Sequence, residues 1–414
     1  VVTREDHGTT TTTEAPGERE LLARAERLLA DCPPDATDAK DFLRAQYAAG
    51  LAWVHFPEGY GGSGASIDLQ PVVDDRLAEA KAPPNGRMFN AIGAGQCAAT
   101  VLLYGTDEQK QHYLPLVFTG EAEWCQLFSE PGSGSDLASL ATRAVHDGDV
   151  WVVNGQKVWT SGAERARFAL LLARTDPDAE KHTGLTAFAV DMHAPGVDVR
   201  PLRQMNGGAD FNEVFFNDVR IPDTERLGDV GAGWSVAHST LAQERYNMPR
   251  IPSRGSGAIA TAVAAWQARP DKTSADARAL KDRLLQHWVD AEALRLLQAR
   301  AATLRALGGS GPEGSLGKLA TSVVGRRLAE FLPALLGADA MLIDGYDHVP
   351  SMMRRDRRPS GRYAVQRSFV GSPGMSIAGG TDEIQRNIIG DRVLGLPREP
   401  SVDRGLPWSQ TLRN

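Results

Sequence analysis

Apolar residues recur at helical spacing in the first part of the chain. Leu21, Leu22, Ala25, Leu28 and Leu29 fall on one face and Pro33-Pro34 ends that run, while Asp38 to Ala49 reads as a second helix stopped by Gly50. Helical patterning continues to about residue 123. From about 125 to 222 the period shortens to β-rich runs: VWVV just before Asn154, FALLLA at 168–173, TAFAV at 186–190 and EVFFNDV at 213–219. Asn154-Gly155, flanked by apolar runs, predicts a two-residue hairpin, because both turn positions need positive φ. After Gly233 the helical period returns. Leu280, Leu284, Trp288 and Ala291 share one face, as do Leu316, Leu319 and Val323, and later Leu328, Phe331 and Leu335. Residues 1–16 are Thr-rich and aperiodic and read as a disordered leader. The expected organisation is thus a leader (1–16), an N-terminal helical domain (17–124), a middle β domain (125–233), a C-terminal helical bundle (234–398) and a tail (399–414). The fold class is mainly α with an inserted β domain.

Composition narrows what such a chain does. With 414 residues, 42% hydrophobic and 23% charged, more than one core is expected. A net charge of -7 gives no reason to expect a polyanionic partner, and the pairs Arg326-Arg327 and Arg357-Arg358 sit among acids or loop residues, so nucleic-acid binding is not expected. Cys32, Cys97 and Cys125 are scattered and show no CxxC spacing, and the nine histidines are dispersed with no HExxH, so neither a disulfide framework nor a metal site is expected. No apolar run approaches the length of a membrane span, and the N-terminus has neither signal nor transit composition, so the expected location is cytoplasmic.

Two phosphate-binding look-alikes fail on context. Gly93-Ala94-Gly95-Gln96-Cys97-Ala98 satisfies GxGxxA but follows no strand of a βαβ unit, and reads as a tight helix contact. Near Gly317-Lys318, Pro312 stands where the first glycine of a phosphate loop belongs, and Leu319 where a magnesium-binding hydroxyl is needed.

Two other segments carry chemistry. Phe128-Ser129-Glu130-Pro131-Gly132-Ser133-Gly134-Ser135-Asp136 places hydroxyls and accessible backbone amides on a glycine-flanked loop, suited to a phosphate or a heteroaromatic carbonyl; by itself it is as readily a plain connection. Lys157-Val158-Trp159-Thr160-Ser161-Gly162 puts a large aromatic face beside a hydroxyl at the end of a β-run. An indole there either lies against a ring cofactor or covers the core.

These segments, together with YGTDEQKQHYLP from Tyr104, FNEVFFNDVRIP from Phe211 and GGTDEIQRNIIGDRVLGLP from Gly379, resemble the acyl-CoA dehydrogenase family, in the family's order and from about Gly50 to Pro397. The resemblance implies an N-terminal helical domain, a middle β-barrel or sandwich domain and a C-terminal four-helix bundle. It implies FAD as cofactor, an acyl-CoA or acyl-carrier-protein thioester as substrate, an electron-transferring flavoprotein as acceptor, and a homo-oligomer, dimer or tetramer. By the same resemblance Leu127, Phe128, Ser129, Gly134 and Ser135 line the flavin, with Ser135 facing substrate or pyrophosphate. Trp159 lies beside the ring, Thr160 bonds near N5 with Ser161 adjacent, and Thr381 and Glu383 contact the cofactor.

Removing a proton alpha to a thioester carbonyl needs a carboxylate in a dry pocket. Many family members carry it just before the Gly-Thr of the last motif, where this chain has Gly379. The alternative address, as in members similar to isovaleryl-CoA and long-chain acyl-CoA dehydrogenases, is a Glu-Arg pair on the helix after the β domain, here Glu244-Arg245. Trp234, Ala237, Leu241, Glu244 and Met248 fall on one side of that helix, so Glu244 shares an apolar face, either as a structural ion pair or as the base. The resemblance favours the base, with Arg245 shaping the pocket or holding its charge.

Two stretches, AWQARPDKTSADARALKDR and LLGADAMLIDG, depart from the family's cofactor-binding segments. Three alternatives follow: a heteromer with a paralogue that completes the site, a flavin monooxygenase or oxidase of the same fold, or a non-enzymatic, DNA-associated relative.

Overall fold

The chain, described here by a computed structural model, is defined over residues 17–246, 253–306, 313–342, 361–398, 400 and 402–412. The expected leader at 1–16, Met248 and the Arg357-Arg358 pair lie outside the described residues. In chain order come α1 (Glu18–Asp31), α2 (Ala39–Ala48), α3 (Gln70–Glu79), α4 (Gly86–Phe89), α5 (Ala98–Tyr104) and α6 (Asp107–Thr119). Eight strands follow: β1 (Trp124–Leu127), β2 (Arg143–Asp147), β3 (Val150–Ser161), β4 (Phe168–Arg174), β5 (Leu185–Asp191), β6 (Val197–Leu202), β7 (Phe211–Pro222) and β8 (Arg226–Leu227). The last group is α7 (Gly233–Tyr246), α8 (Ala258–Ala268), α9 (Ala275–Ala306), α10 (Glu313–Leu336), α11 (Gly361–Gly371) and α12 (Asp382–Arg392).

Two compact units result, one from the chain up to residue 88 with 106–121, the other from 89–105 with 122 onward. In the first, α1 buries Leu21, Ala25 and Leu28 at helical spacing. Asp38 caps α2 by accepting from the Lys40 amide at 2.9 Å, and Thr106 with Gln109 forms a capping box on α6. Trp53 and Phe118 meet edge to face inside this unit, with ring centroids 5.4 Å apart.

The second unit is built on one eight-stranded sheet in the order β6-β7-β3-β2-β4-β5-β8, with β1 added in parallel to β4. Its core includes Leu127, Trp151, Val153, Leu171, Phe188, Val214 and Phe216. The hairpin expected at Asn154-Gly155 lies elsewhere. β3 runs unbroken from Val150 to Ser161, and the tight turn is Gly148-Asp149, between the paired Asp147 and Val150, with Gly148 at φ +69°. Asn154 instead faces a bulge in β7, where its side chain exchanges hydrogen bonds with Asp218, at 2.9 and 3.0 Å. Gly155 answers a different demand: a Cβ there would lie 2.7 Å from Thr142 Cα on the strand side of β2. Gly155→Ala is therefore expected to destabilise the protein by about 1–3 kcal/mol through overpacking, seen as a lower urea midpoint at unchanged slope.

In the bundle, Leu284 of α9 packs with Ile259 and Ala262 of α8, Leu328, Phe331, Leu332 and Leu335 of α10, and Val365 of α11, with Leu280, Trp288 and Ala291 partly buried against them. The expected face of Leu316, Leu319 and Val323 is only half-buried. The N-terminal half of α10 turns Ser315, Gly317 and Ser322 inward, because its contact is polar: Ser322 donates to Asp382 of α12 at 3.1 Å. Among the described residues no helix is long and apolar enough to cross a membrane.

Candidate active site

The glycine-serine loop leaves the sheet at the end of β1. Leu127 and Phe128 are buried there, and the half-buried Ser129 accepts from the Val158 amide at 2.9 Å. Glu130 and Ser133 exchange backbone hydrogen bonds across Pro131-Gly132, and Ser133 Oγ donates to the Asp136 carbonyl at 2.7 Å. Gly134 and Ser135 are thereby left exposed on the crest of the loop.

What ties this loop to β3 is a buried ion pair. Lys157 Nζ donates to Glu130 at 2.8 Å and to the Phe128 carbonyl at 2.9 Å, and the Glu130 carboxylate also accepts from the amides of Ala141 (2.7 Å) and Thr142 (2.9 Å). Burial alone would raise the Glu130 carboxyl, but the Lys157 charge and these hydrogen bonds outweigh it and hold the group below the ordinary carboxylate range. Burial, partly offset by Glu130, pushes the Lys157 ammonium below its usual value. Both residues lie inside motifs read from the sequence, yet neither was singled out. The signal was present: alternation along β3 turns Trp151, Val153 and Lys157 inward, so a lysine had to find a partner in the core.

Beyond Lys157 the strand is bulged. Lys157 pairs with Val214 and Thr160 with Asn212, so β3 carries one residue more than β7 over this stretch. The bulge holds Trp159 at φ +61°, a left-handed conformation that indole residues rarely take, and turns its ring outward. Trp159 is 59% exposed and rests edge-on against Phe211, with centroids 6.0 Å apart. The next residue, Thr160, is buried, its carbonyl accepts from Asn212 Nδ2 at 3.1 Å, and its hydroxyl has no partner among the described residues. Ser161 is half-buried at the strand end, and the Gly162 amide donates to the Asp210 carbonyl at 3.1 Å. Asp210 in turn lies 3.9 Å from Arg367 of α11, both buried.

An exposed indole face next to a buried, partnerless hydroxyl suits a flat heteroaromatic ring with a hydrogen-bonding edge atom. An exposed indole and an unsatisfied hydroxyl at consecutive positions are residues that fit a flavin.

Thr381 and Glu383 belong to a separate cluster. Thr381 caps α12, its hydroxyl accepting from the Ile384 amide at 3.2 Å, while Glu383 is exposed and 3.4 Å from Arg386. Asp382, between them, reaches Lys318 (3.0 Å) and Ser322 of α10. Gln385 donates to the Gly379 carbonyl at 3.1 Å, and its own buried Oε1 has no partner among the described residues. Arg269, in one of the stretches that depart from the family pattern, closes the end of α10 by donating to the Leu335 carbonyl at 2.7 Å.

Glu244 and Arg245 fall near the end of α7, and their side chains lie outside the described residues. Among the described side chains of α7, Gly233, Val236, Ala237 and Thr240 are buried, while Trp234 and Leu241 are half-buried. Over the described side chains the inward face is therefore rotated from the one expected. α7 is pinned to α5 by Thr100–Thr240 (2.8 Å) and Tyr104–Ser239 (2.7 Å) hydroxyl contacts, which sequence reasoning missed because they join residues far apart in the chain.

Comparison with known proteins matches the chain to the acyl-CoA dehydrogenase N-terminal domain over residues 15–121, its middle domain over 125–219 and its C-terminal domain over 231–394. The chain is 41% identical to acyl-CoA dehydrogenase FadE34 of Mycobacterium tuberculosis over 354 residues, which is 84% of this chain and 45% of that protein. It thus spans slightly less than half of that relative's length. Acyl-CoA dehydrogenase IpdE1 of the same organism is 36% identical over 355 residues, covering 85% of this chain and 86% of the relative. Among solved structures, the ChsE4-ChsE5 complex from Mycobacterium tuberculosis aligns with a TM-score of 0.68 at 28% identity, covering 94% of this chain and all of that one. The Tcur3481-Tcur3483 steroid ACAD aligns with a TM-score of 0.70 at 25% identity, covering 92% of this chain and 97% of that one.

Proposed function

The chain belongs to the acyl-CoA dehydrogenase family, and from that premise we propose that it introduces a double bond between Cα and Cβ of an acyl thioester, with FAD seated against Trp159 and Thr160 and Glu244 as the base. The observation that carries this reading is the Thr160 hydroxyl, buried and partnerless beside the outward-turned indole of Trp159.

Each residue has a task. Trp159 offers its face to the flavin ring, and Thr160 supplies the hydrogen-bonding group that the ring edge needs. The Lys157–Glu130 pair keeps the loop carrying Ser129 and Gly134 in register with β3. Ser135 and the neighbouring amides receive the polar end of the substrate or the pyrophosphate of the cofactor. Glu244 takes the α proton as the Cα–H bond breaks, and Arg245 shapes the pocket around it. A backbone N–H at the thioester oxygen steadies the negative charge that develops there. FAD supplies the acceptor for the hydride that leaves Cβ. An electron-transferring flavoprotein would be the partner that reoxidises the bound cofactor. Thr381 and Glu383, at the start of α12, complete the cofactor contacts on the bundle side.

The deciding experiment is anaerobic titration with a panel of acyl-CoAs, steroid-derived ones included because one of the similar structures is a steroid ACAD. Bleaching of the flavin absorbance is expected with at least one thioester, and none across the panel would overturn the reading. Reduced flavin that consumes oxygen rapidly would favour the monooxygenase or oxidase alternative instead.

Thr160→Val separates the cofactor role from a structural one. Deleting a partnerless buried hydroxyl should leave the urea midpoint of the flavin-free protein unchanged or higher, yet weaken FAD about fivefold to tenfold by fluorescence titration.

A second reading concerns assembly: a heteromer with a paralogous chain in place of a homotetramer. It is supported by the FadE34 relative, slightly more than twice the matched length, and by the ChsE4-ChsE5 complex among the similar structures. Expression alone would then yield flavin-poor protein, and a homotetramer with full flavin content would refute it.

A further inference from the structure

Past α12 the chain does not trail away, although its sequence there shows no periodicity. Residues 402–412 run along the connection between β4 and β5: the Trp408 amide donates to the Ala179 carbonyl at 2.8 Å, the Ser409 amide to the Pro177 carbonyl at 2.9 Å, and Pro407 bridges to Glu180. Trp408 is buried. Its indole N–H donates to the Ser139 carbonyl at 3.2 Å, and its ring covers the Arg174 guanidinium, 4.7 Å from the ring centroid. Arg174, itself buried, donates to the carbonyls of Ala138, Leu140 and Lys181. Lys181 bridges Asp136 (3.1 Å) and Asp403 of the tail. Residues 136–140 directly follow the exposed Gly134-Ser135 crest, so the end of that loop is held by Arg174, by Lys181 and by Trp408 of the tail.

We propose that Asp403–Thr411 is a strap that sets the position of the Ser133–Asp136 turn and thereby the affinity for the acyl thioester, with Trp408 and Asp403 as positioning residues. The proposal rests on the assignment of Ser135 to the substrate end of the site. An indole over a desolvated guanidinium restrains both the tail and the carbonyls that Arg174 binds, so loosening it reaches the crest without touching the base or the flavin-facing indole.

Full-length Trp408→Ala, Trp408→Phe and Asp403→Asn test it by steady-state kinetics and by hydrogen exchange over residues 133–140. Trp408→Ala should raise KM about tenfold with kcat held within about twofold, and speed exchange at 137–140 while α9 and α10 stay unchanged. Trp408→Phe keeps a π face over Arg174 and should remain within about threefold of the parent KM. Unchanged KM and exchange in Trp408→Ala overturn the strap, as does an equal loss of kcat and flavin in Trp408→Ala and Trp408→Phe. Should Trp408→Ala not fold, Asp403→Asn carries the test: KM up about threefold is expected, and no change overturns the proposal. Should the parent protein show no flavin bleaching with any thioester, the proposed function fails by itself, and the exchange of residues 133–140 alone decides the strap.

Discussion

Glu244→Gln is expected to keep FAD bound and to slow its reduction by acyl-CoA about a thousandfold or more, because a carboxamide of the same shape cannot take the α proton. The expectation rests on helical spacing, with position 244 four residues beyond Thr240 along α7, a helix tied to α5 through Thr100 and Tyr104. At the other address that family members use, this chain has Gly379, so no second carboxylate there can take over. Anaerobic stopped-flow absorbance reads the outcome directly. A variant that bleaches as fast as its parent would remove Glu244 from the mechanism, whereas one that has lost its flavin would assign it a structural task.

Lys157→Met should be the most destabilising single change near the site, at about 3–5 kcal/mol, since it strands the Glu130 carboxylate in the core with only amides to hold it. Its pH dependence has a definite sign. In the parent, the Glu130 carboxyl titrates below its unfolded value. Its contribution is therefore complete above the ordinary carboxylate range and is lost as pH falls through the lowered folded value. In the variant, burial without the lysine raises that carboxyl above its unfolded value, so the slope reverses and the variant gains relative stability on mild acidification. Urea unfolding at about pH 7 and about pH 5 distinguishes the two cases. Adding Glu130→Gln to Lys157→Met should restore much of the loss, because the stranded charge is then gone. A Lys157→Met midpoint equal to the parent at both pH values would show that the pair carries no weight.

Much of this could be read from the chain. The change from helical to alternating period near residue 125, and back after Gly233, marks where β1 begins at Trp124 and α7 at Gly233. The strands at 168–174, 185–191 and 211–222 follow their apolar runs, and the faces of α1 and α9 follow theirs. The family was legible because its motifs are short, contiguous and ordered along the chain. Asn154-Gly155 misled because its turn chemistry is real but subordinate: pairing with β7 on one side and β2 on the other keeps the strand straight and uses the two residues for a bulge contact and a close approach.

Sequence by itself determined the elements and the order of helical, β and helical parts. Only the tertiary structure decided that Lys157 reaches Glu130, that a bulge turns Trp159 outward while Thr160 stays inside without a partner, and that the tail returns to Arg174 and Asp136. Periodicity and turn preference report which way a side chain leaves its own backbone, a local property set by dihedral geometry. What it meets there depends on segments brought together from far along the chain, and no local pattern encodes them.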